Sequence, residues 1–510
     1  MSAKSTLLVF VHGWSVTNTD TYGGLPERLR VEAEAAGISI QIKEIFLGRY
    51  ISFHDEVRVT DISRAFRTAI ENELSNLLQD GSRFVCITHS TGGPVVRDWW
   101  HRYYETNTQA SICPMSHLIM LAPANYGSAL AQLGKERLSR LKSWFEGVEP
   151  GQGVLDWLEL GSKEAWKLNS EWICNGGSQI GPHGIFPFVL TGQSIDRAFY
   201  DNLNSYTGET GSDGVVRVAA ANLCGTYIRL VQEAPQPVTG RRGEFSAKNL
   251  HMETICHAPN TALRVIGGKS HSGDKMGIMR SVKEKRNDTK SSETVNAILE
   301  CMQITTEKQY EELCNRFRTE TEAVQKAEQL EIEQKLFRSD ICFVHDRYAM
   351  VIFRVQDDEG YPVADFDLVL TAGPDADPNH LPKGFFVDRQ RNSISPQTIT
   401  YYFNRDVMKG TEAIKDKDNS LIREALPGAE MLGFRIIARP DSGFVYYLPC
   451  EIQSSSEMLQ TALHANSTTL VDIILRRIVR KNVFRVDKVT VETKRGSFKN
   501  TKPGDEIVEG

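Results

Sequence analysis

Short apolar runs alternate with amphipathic stretches along the first half of the 510-residue chain. An apolar run bounded by polar or glycine-containing segments predicts a buried strand, and an amphipathic stretch predicts a helix with one apolar face. The strands predicted in this way are 7–11, 38–46, 84–87, 117–122, 186–192, 227–231 and 262–266, and the helices are 22–36, 61–79 and 94–100. Because strand and helix alternate, we expect an α/β fold in which a mostly parallel sheet is covered by helices on both faces.

The pattern changes between residues 129 and 180, where tryptophan and leucine recur at helical spacing. A helical insertion of this kind, placed after a sheet strand, predicts a cap that excludes water from a site and offers it an apolar surface. The alternative is that the extra helices only pack in the core.

The pattern of apolar and polar residues is different in the second half of the chain. Residues 289–336 are charged and favour helix, so we expect a helical connector there. From 337 to 490, short apolar strands are separated by polar turns, which predicts a β-sandwich-like domain. Residues 1–288 are expected to form the first domain, and residues 491–510 a flexible tail.

The composition narrows the class of protein. The chain has 59 lysines and arginines against 65 aspartates and glutamates, and the net charge of -6 argues against a dedicated nucleic-acid binder. Nine cysteines without C-x-x-C spacing predict free thiols rather than a disulfide framework or a zinc site. Neither a signal peptide nor an apolar run of roughly 18 residues is recognised. We therefore expect a cytoplasmic protein, with leaderless export as the alternative, and no pattern predicts a cofactor.

The segment Thr88-His89-Ser90-Thr91-Gly92-Gly93 lies between a predicted strand and a predicted helix. In that context a serine with small neighbours is typical of a nucleophile elbow, a tight turn that exposes the hydroxyl at the N-terminus of the helix. The backbone N–H of Thr91 then lies where it can stabilise an oxyanion. Thr88 stands where such a turn usually has glycine, and the alternative interpretation is that Ser90 only caps the helix.

Other positions supply what a serine nucleophile needs. Gly13 lets the backbone turn after the first strand and present the N–H of Trp14 as a second oxyanion donor, although an ordinary turn is the alternative. Asp213 and His271 follow in loops near later strands. A histidine takes the serine proton and returns it to the leaving group, and a buried carboxylate orients that histidine and stabilises its charged form. Ser90, Asp213 and His271 occur in the chain order of α/β-hydrolases.

Other residues compete for the roles of base and acid. The competing positions are His251 and His257 for the base, and Asp196 and Asp201 for the acid. The two competing histidines precede the strand at 262–266, whereas His271 follows it. The two competing aspartates lie closer to the strand at 186–192, but Asp213 belongs to an Asp-Gly-Val-Val segment. We therefore assign His271 and Asp213.

Three segments resemble the motifs of bacterial lipases in the α/β-hydrolase superfamily. They are Val11-His12-Gly13-Trp14, His89-Ser90-Thr91-Gly92-Gly93 and Gly211-Ser212-Asp213-Gly214-Val215-Val216. The resemblance covers roughly the first 280 residues and implies an α/β-hydrolase fold with Ser90 as nucleophile, Asp213 as acid and an oxyanion donor at Trp14. The sequence departs from the family at Thr88 and in a long excursion from Glu233 to Thr261.

The resemblance implies a carboxylic ester hydrolase that cleaves lipid esters through an acyl-enzyme, as a lipase or a phospholipase A does. The alternatives are an esterase, thioesterase or amidase for a small soluble substrate, and a non-catalytic interaction protein that keeps the fold. The lipid ester is the expected substrate. The β-rich domain is expected to contact a membrane surface or a protein partner, and the alternative is that it only stabilises the chain.

A metal ion is not predicted. Some of these lipases hold a structural calcium between an aspartate before the acid and one after the catalytic histidine, and Asp196 and Asp274 occupy comparable places. Calcium takes roughly six to eight oxygen ligands, so two carboxylates do not define a site.

Overall fold

The computed structural model of the chain describes residues 5–12, 19–52, 54–78, 81–106, 112–133, 151–195, 210–237, 239, 245–246, 249–285, 289–333, 341–429, 431–455 and 462–480. The strands are β1 (Thr6–His12), β2 (Ile40–Phe46), β3 (Phe84–His89), β4 (Met115–Leu121), β5 (Phe186–Thr191), β6 (Gly225–Gln232), β7 (Gln236–Pro237), β8 (Phe245–Ser246), β9 (Leu250–His257), β10 (Ala262–Val265), β11 (Leu330–Glu333), β12 (Ile341–Val344), β13 (Tyr348–Asp357), β14 (Phe366–Ala372), β15 (Phe386–Arg391), β16 (Thr398–Asn404), β17 (Ile414–Lys415), β18 (Leu421–Arg423), β19 (Met431–Ala438), β20 (Val445–Tyr446), β21 (Cys450–Ser455), β22 (Ser467–Leu475) and β23 (Ile478–Val479). The α-helices are α1 (Leu25–Ala35), α2 (Val59–Glu73), α3 (Gly92–Trp100), α4 (Gln152–Leu158), α5 (Lys163–Asn175), α6 (Val218–Ala221), α7 (Thr289–Met302), α8 (Glu307–Ala327) and α9 (Arg405–Lys409). After α8 the described elements are almost entirely strands, as the sequence predicts.

Six strands form a parallel sheet in the order β10-β5-β4-β3-β1-β2. Every neighbouring pair in this sheet is parallel, and β3 lies at its centre. Because the carboxyl ends of parallel strands meet at one edge of a sheet, the loops that follow β3, β5 and β10 converge there. The predicted parallel sheet is confirmed, and these three loops carry Ser90, Asp213 and His271.

Helices cover both faces of the parallel sheet. The apolar sides of α1, α7 and α8 pack in one core, and those of α2 and α3 pack in the core on the opposite face. Helix α8 illustrates the pattern, because Tyr310, Leu313 and Phe317 recur at helical spacing and are buried. Residues 289–336 therefore contain two helices that belong to the outer layer of this sheet, and their role as a connector stays a prediction.

A second six-stranded sheet is mixed and has the order β15-β16-β13-β22-β6-β9. Strand β6 pairs in parallel with β22, with Tyr227 opposite Leu470, and antiparallel with β9. The strand predicted at 227–231 therefore forms, but in the second sheet. The excursion at 233–261 carries β9. The second sheet contains strands from both sides of the predicted domain boundaries at 288 and 336. These boundaries stay a prediction.

The central strands of the second sheet are buried on both faces. In β13, Met350 and Ile352 join a core of the first sheet, whereas Val351 and Phe353 join a core shared with a three-stranded sheet of order β14-β19-β21. Successive side chains of a strand point to opposite faces, and a strand covered on both sides reads as a continuous apolar run. Strands of the second half, together with β6 and β9, thus form a pair of packed sheets, and the larger of these also packs on the first sheet. Within the described residues, no helix combines the length and the apolar character needed to cross a bilayer.

The described helices of the predicted insertion, α4 and α5, are built into the core. Their buried tryptophans are Trp157, Trp166 and Trp172. Gly161 between these helices lies so close to the second sheet that an added Cβ would overlap the side chain of Thr398. The two helices therefore join the two sheets. Residues 134–150 lie outside the described residues, and a cap over the site stays a prediction.

Candidate active site

Ser90 occupies a tight turn between β3 and α3. Its φ of 51° lies in the left-handed region, which costs energy for any residue with a side chain and is typical of functional sites. The turn is fixed by hydrogen bonds from the Ser90 N–H to the Leu121 carbonyl (3.0 Å) and from the Gly93 N–H to the Ser90 carbonyl (3.2 Å). The serine hydroxyl is thus held at the carboxyl edge of the sheet, as the predicted elbow requires.

The two glycines after the serine make room for this turn. A Cβ added at Gly93 would come within 2.7 Å of the Pro123 Cβ, and one added at Gly92 would come within 3.3 Å of the Thr88 Cβ. Both distances are shorter than ordinary carbon contacts. Thr88 can replace the usual glycine because the residue packed against it, Gly92, has no side chain.

The structure brings the three predicted catalytic residues together. The hydroxyl of Ser90 lies 3.0 Å from Nε2 of His271, and Nδ1 of His271 lies 3.0 Å from Oδ2 of Asp213. Both ionisable side chains are fully buried. The second carboxylate oxygen of Asp213, Oδ1, accepts the N–H groups of Val215 (3.0 Å) and Val216 (2.8 Å). Asp213 is therefore fixed on one side by its own loop and faces the histidine with the other side.

His89, which precedes Ser90 in the elbow segment, is a supporting residue. Its Nε2 lies 3.1 Å from the carbonyl oxygen of His271, and the two rings are 4.7 Å apart between centroids. Burial, and then the neighbouring His271, lower the pKa of His89 well below its usual value. The neutral ring therefore donates an Nε2–H bond to the His271 backbone. Only its position before Ser90 could have indicated this role.

Two solved structures match the chain over nearly its whole length. Phospholipase PlaB from Legionella pneumophila is 44% identical with a TM-score of 0.81, and the match covers 96% of this chain and 98% of that one. The chain belongs to the PlaB phospholipase family. A structure of Legionella pneumophila PlaB in complex with thio-NAD is 42% identical with a TM-score of 0.80 over the same shares of both chains. No family model and no curated protein matches the chain.

The competing histidines and Asp274 of this PlaB family member do not join the three, whereas Thr91 directly follows Ser90 at the N-cap of α3. His251 and His257 lie on β9 in the second sheet and are exposed. Asp274 is 73% exposed and forms an ion pair of 3.0 Å with Arg280. Three further positions, Trp14, Asp196 and Asp201, lie outside the described residues. The second oxyanion donor at Trp14 therefore stays a prediction.

The second sheet holds the loop that carries Asp213 in this PlaB family member. The Tyr402 hydroxyl donates to the carbonyl oxygens of Thr210 and Gly211, at 3.2 Å from each. Arg217 follows Asp213 in the sequence and is buried. Its guanidinium lies 4.1 Å from the centroid of the Tyr402 ring, within the range of a cation–π contact. These contacts join residues nearly two hundred positions apart, so no local pattern could predict them.

Proposed function

We propose that this member of the PlaB family is a serine hydrolase that cleaves the carboxylic esters of lipids. The observation that carries the proposal is the chain of two 3.0 Å hydrogen bonds from Ser90 through His271 to Asp213. The serine stands on a strained elbow, and the base and acid are shielded from solvent. Such an arrangement activates a hydroxyl for attack on an acyl carbon.

The reaction divides into acylation and deacylation. Ser90 Oγ attacks the ester carbonyl carbon while His271 Nε2 takes its proton, and Asp213 stabilises the resulting imidazolium. The carbonyl oxygen becomes an oxyanion that the Thr91 N–H stabilises at the N-terminus of α3, with the Trp14 N–H as the proposed second donor. His271 then protonates the departing alcohol, which leaves an acyl ester on Ser90. Water, deprotonated by His271, attacks this ester, and His271 returns the proton to Ser90 Oγ as the fatty acid is released.

The proposed substrate class is membrane phospholipid. The relative that is 44% identical over 96% of this chain is named a phospholipase. A phospholipid presents its esters at a bilayer surface, so we also propose that the enzyme makes peripheral contact with a membrane.

A substrate panel tests the proposal. We expect the purified full chain to release fatty acid from phospholipid vesicles and to hydrolyse long-chain p-nitrophenyl esters at least tenfold better in kcat/KM than the acetate. The measurements are mass spectrometry of the released acids and absorbance of nitrophenolate, with enzyme inactivated by a fluorophosphonate as the blank. A sharp optimum at short acyl chains without phospholipid hydrolysis would instead establish an esterase for small soluble substrates.

We also propose that the chain binds a nicotinamide dinucleotide. The support is the solved PlaB complex with thio-NAD, a protein 42% identical to this chain over 96% of its length. Isothermal titration of the full chain with thio-NAD should give saturable binding with a defined stoichiometry, and nicotinamide alone serves as the control ligand. A flat titration with thio-NAD on protein that is folded by circular dichroism would refute this second proposal.

A further inference from the structure

A cavity of about 330 Å³ lies between the mixed six-stranded sheet and the three-stranded sheet. Phe353 and Val471 contribute to its wall from the six-stranded sheet, and Leu432 and Ile452 from the three-stranded sheet. Nearly all of the side chains around it are apolar. The cavity is separate from the catalytic residues, which lie at the edge of the parallel sheet.

The cavity reaches the protein surface at the edge strand β9. Met252 and Ile255 face the cavity and are still 42% and 37% exposed. Two residues three positions apart normally point to opposite faces of a strand. Here the pairing of β9 with β6 shifts by one residue, so that Ile255 lies opposite Ile228 and Met252 opposite Leu230. This irregularity turns both apolar side chains of the mouth toward the cavity.

Water is a poor occupant of such a space. A bound water needs two to four polar partners, which an apolar wall does not provide, and an empty apolar cavity lowers stability through the lost contacts of its lining. Small-molecule sites typically have volumes of roughly 300–1,000 Å³, and this cavity of about 330 Å³ stands at the lower end of that range. The volume therefore suits a single slender apolar chain.

We propose that this cavity binds the acyl chain of a free fatty acid. The chain lies between the two sheets, and the carboxylate stays hydrated at the mouth, where the exposed His257 also borders the cavity. The choice of a fatty acid rests on the proposed function, because that reaction releases one. This pair of sheets thus contains a lipid site of its own, apart from the site of hydrolysis.

Two variants of the edge strand test the proposal. Ile255→Trp places a larger side chain in the mouth, whereas the neighbouring residue Thr254 lies opposite Arg229 and points to the other face of the same strand. Both positions are exposed, so neither change disturbs the core. Thr254→Trp is therefore a matched control for the added indole and for any change at the edge of the sheet.

The measurement is isothermal titration with dodecanoic acid on full-length Ser90→Ala protein, alone and combined with each edge variant. We expect saturable binding to Ser90→Ala, affinity at least tenfold weaker with Ile255→Trp, and affinity within twofold with Thr254→Trp. Equal affinities of the two edge variants, or no binding to Ser90→Ala, would overturn the proposal. Because none of these proteins needs to hydrolyse an ester, failure here is distinguishable from failure of the proposed enzymatic function.

Discussion

Replacing Ser90 with alanine should lower kcat/KM on a long-chain ester by roughly 10⁵- to 10⁶-fold, the loss typical of removing a serine nucleophile from a triad. The methyl group cannot attack an acyl carbon, so only binding and oxyanion stabilisation remain. The turn itself should persist, because its hydrogen bonds to Leu121 and from Gly93 involve only backbone atoms of residue 90. Steady-state hydrolysis of a p-nitrophenyl ester measures this effect.

Thr91→Ala is the matched control for Ser90→Ala. It removes a neighbouring hydroxyl of the same elbow but keeps the backbone N–H that the proposed mechanism uses, so its kcat/KM should stay within about fivefold of the wild-type value. Both variants should have the wild-type circular dichroism spectrum. Substantial activity in folded Ser90→Ala protein would contradict the assignment of the nucleophile.

The second large effect is expected for Asp213→Asn, which should lower kcat by about 10⁴-fold, or about 5 kcal/mol of transition-state stabilisation. The N–H groups of Val215 and Val216 hold one carboxylate oxygen, and the asparagine carbonyl oxygen must take that place. The amide NH₂ then faces His271 Nδ1, where it donates rather than accepts. The imidazole must therefore carry its proton on Nε2, and it cannot accept the Ser90 proton.

Asp274→Asn is the control for this second prediction. The change is chemically identical, and Asp274 follows His271 closely in sequence, but its carboxylate is 73% exposed and pairs with Arg280. Ion pairs at the surface contribute little, so kcat should change by less than about threefold. Single-turnover kinetics of both variants separate acylation from product release. Equal effects of the two substitutions would show that Asp213 is not the orienting acid.

The parallel sheet and the meeting of Ser90, Asp213 and His271 could be predicted because their signals are local. An apolar run, a turn rich in small residues and an amphipathic helix each lie within about ten residues of one another. The fixed chain order of the loops at one edge of a parallel sheet then places the serine, acid and histidine together. The elbow forms despite the threonine at position 88, because Gly92 provides the space that a glycine at position 88 would otherwise give.

The sheet that receives β6 and β9 could not be predicted from the sequence. The apolar run at residues 227–231 indicates a strand but not its partner, and Tyr227 pairs with Leu470 from the far end of the chain. The same limit applies to the support of the Asp213 loop by Tyr402. Contacts of this kind depend on three-dimensional packing, which leaves no periodic signal in either segment.

Mass spectrometric mapping of a covalent adduct tests the central claim most directly. Full-length protein is incubated with a long-chain alkyl fluorophosphonate and digested, and the modified residue is located by peptide fragmentation. The account predicts a single adduct on the peptide that contains Ser90, formed rapidly by wild-type protein and at least a thousandfold more slowly by Asp213→Asn. An adduct on a different residue, or rapid phospholipid hydrolysis by wild-type protein with Ser90 unmodified by the reagent, would contradict it.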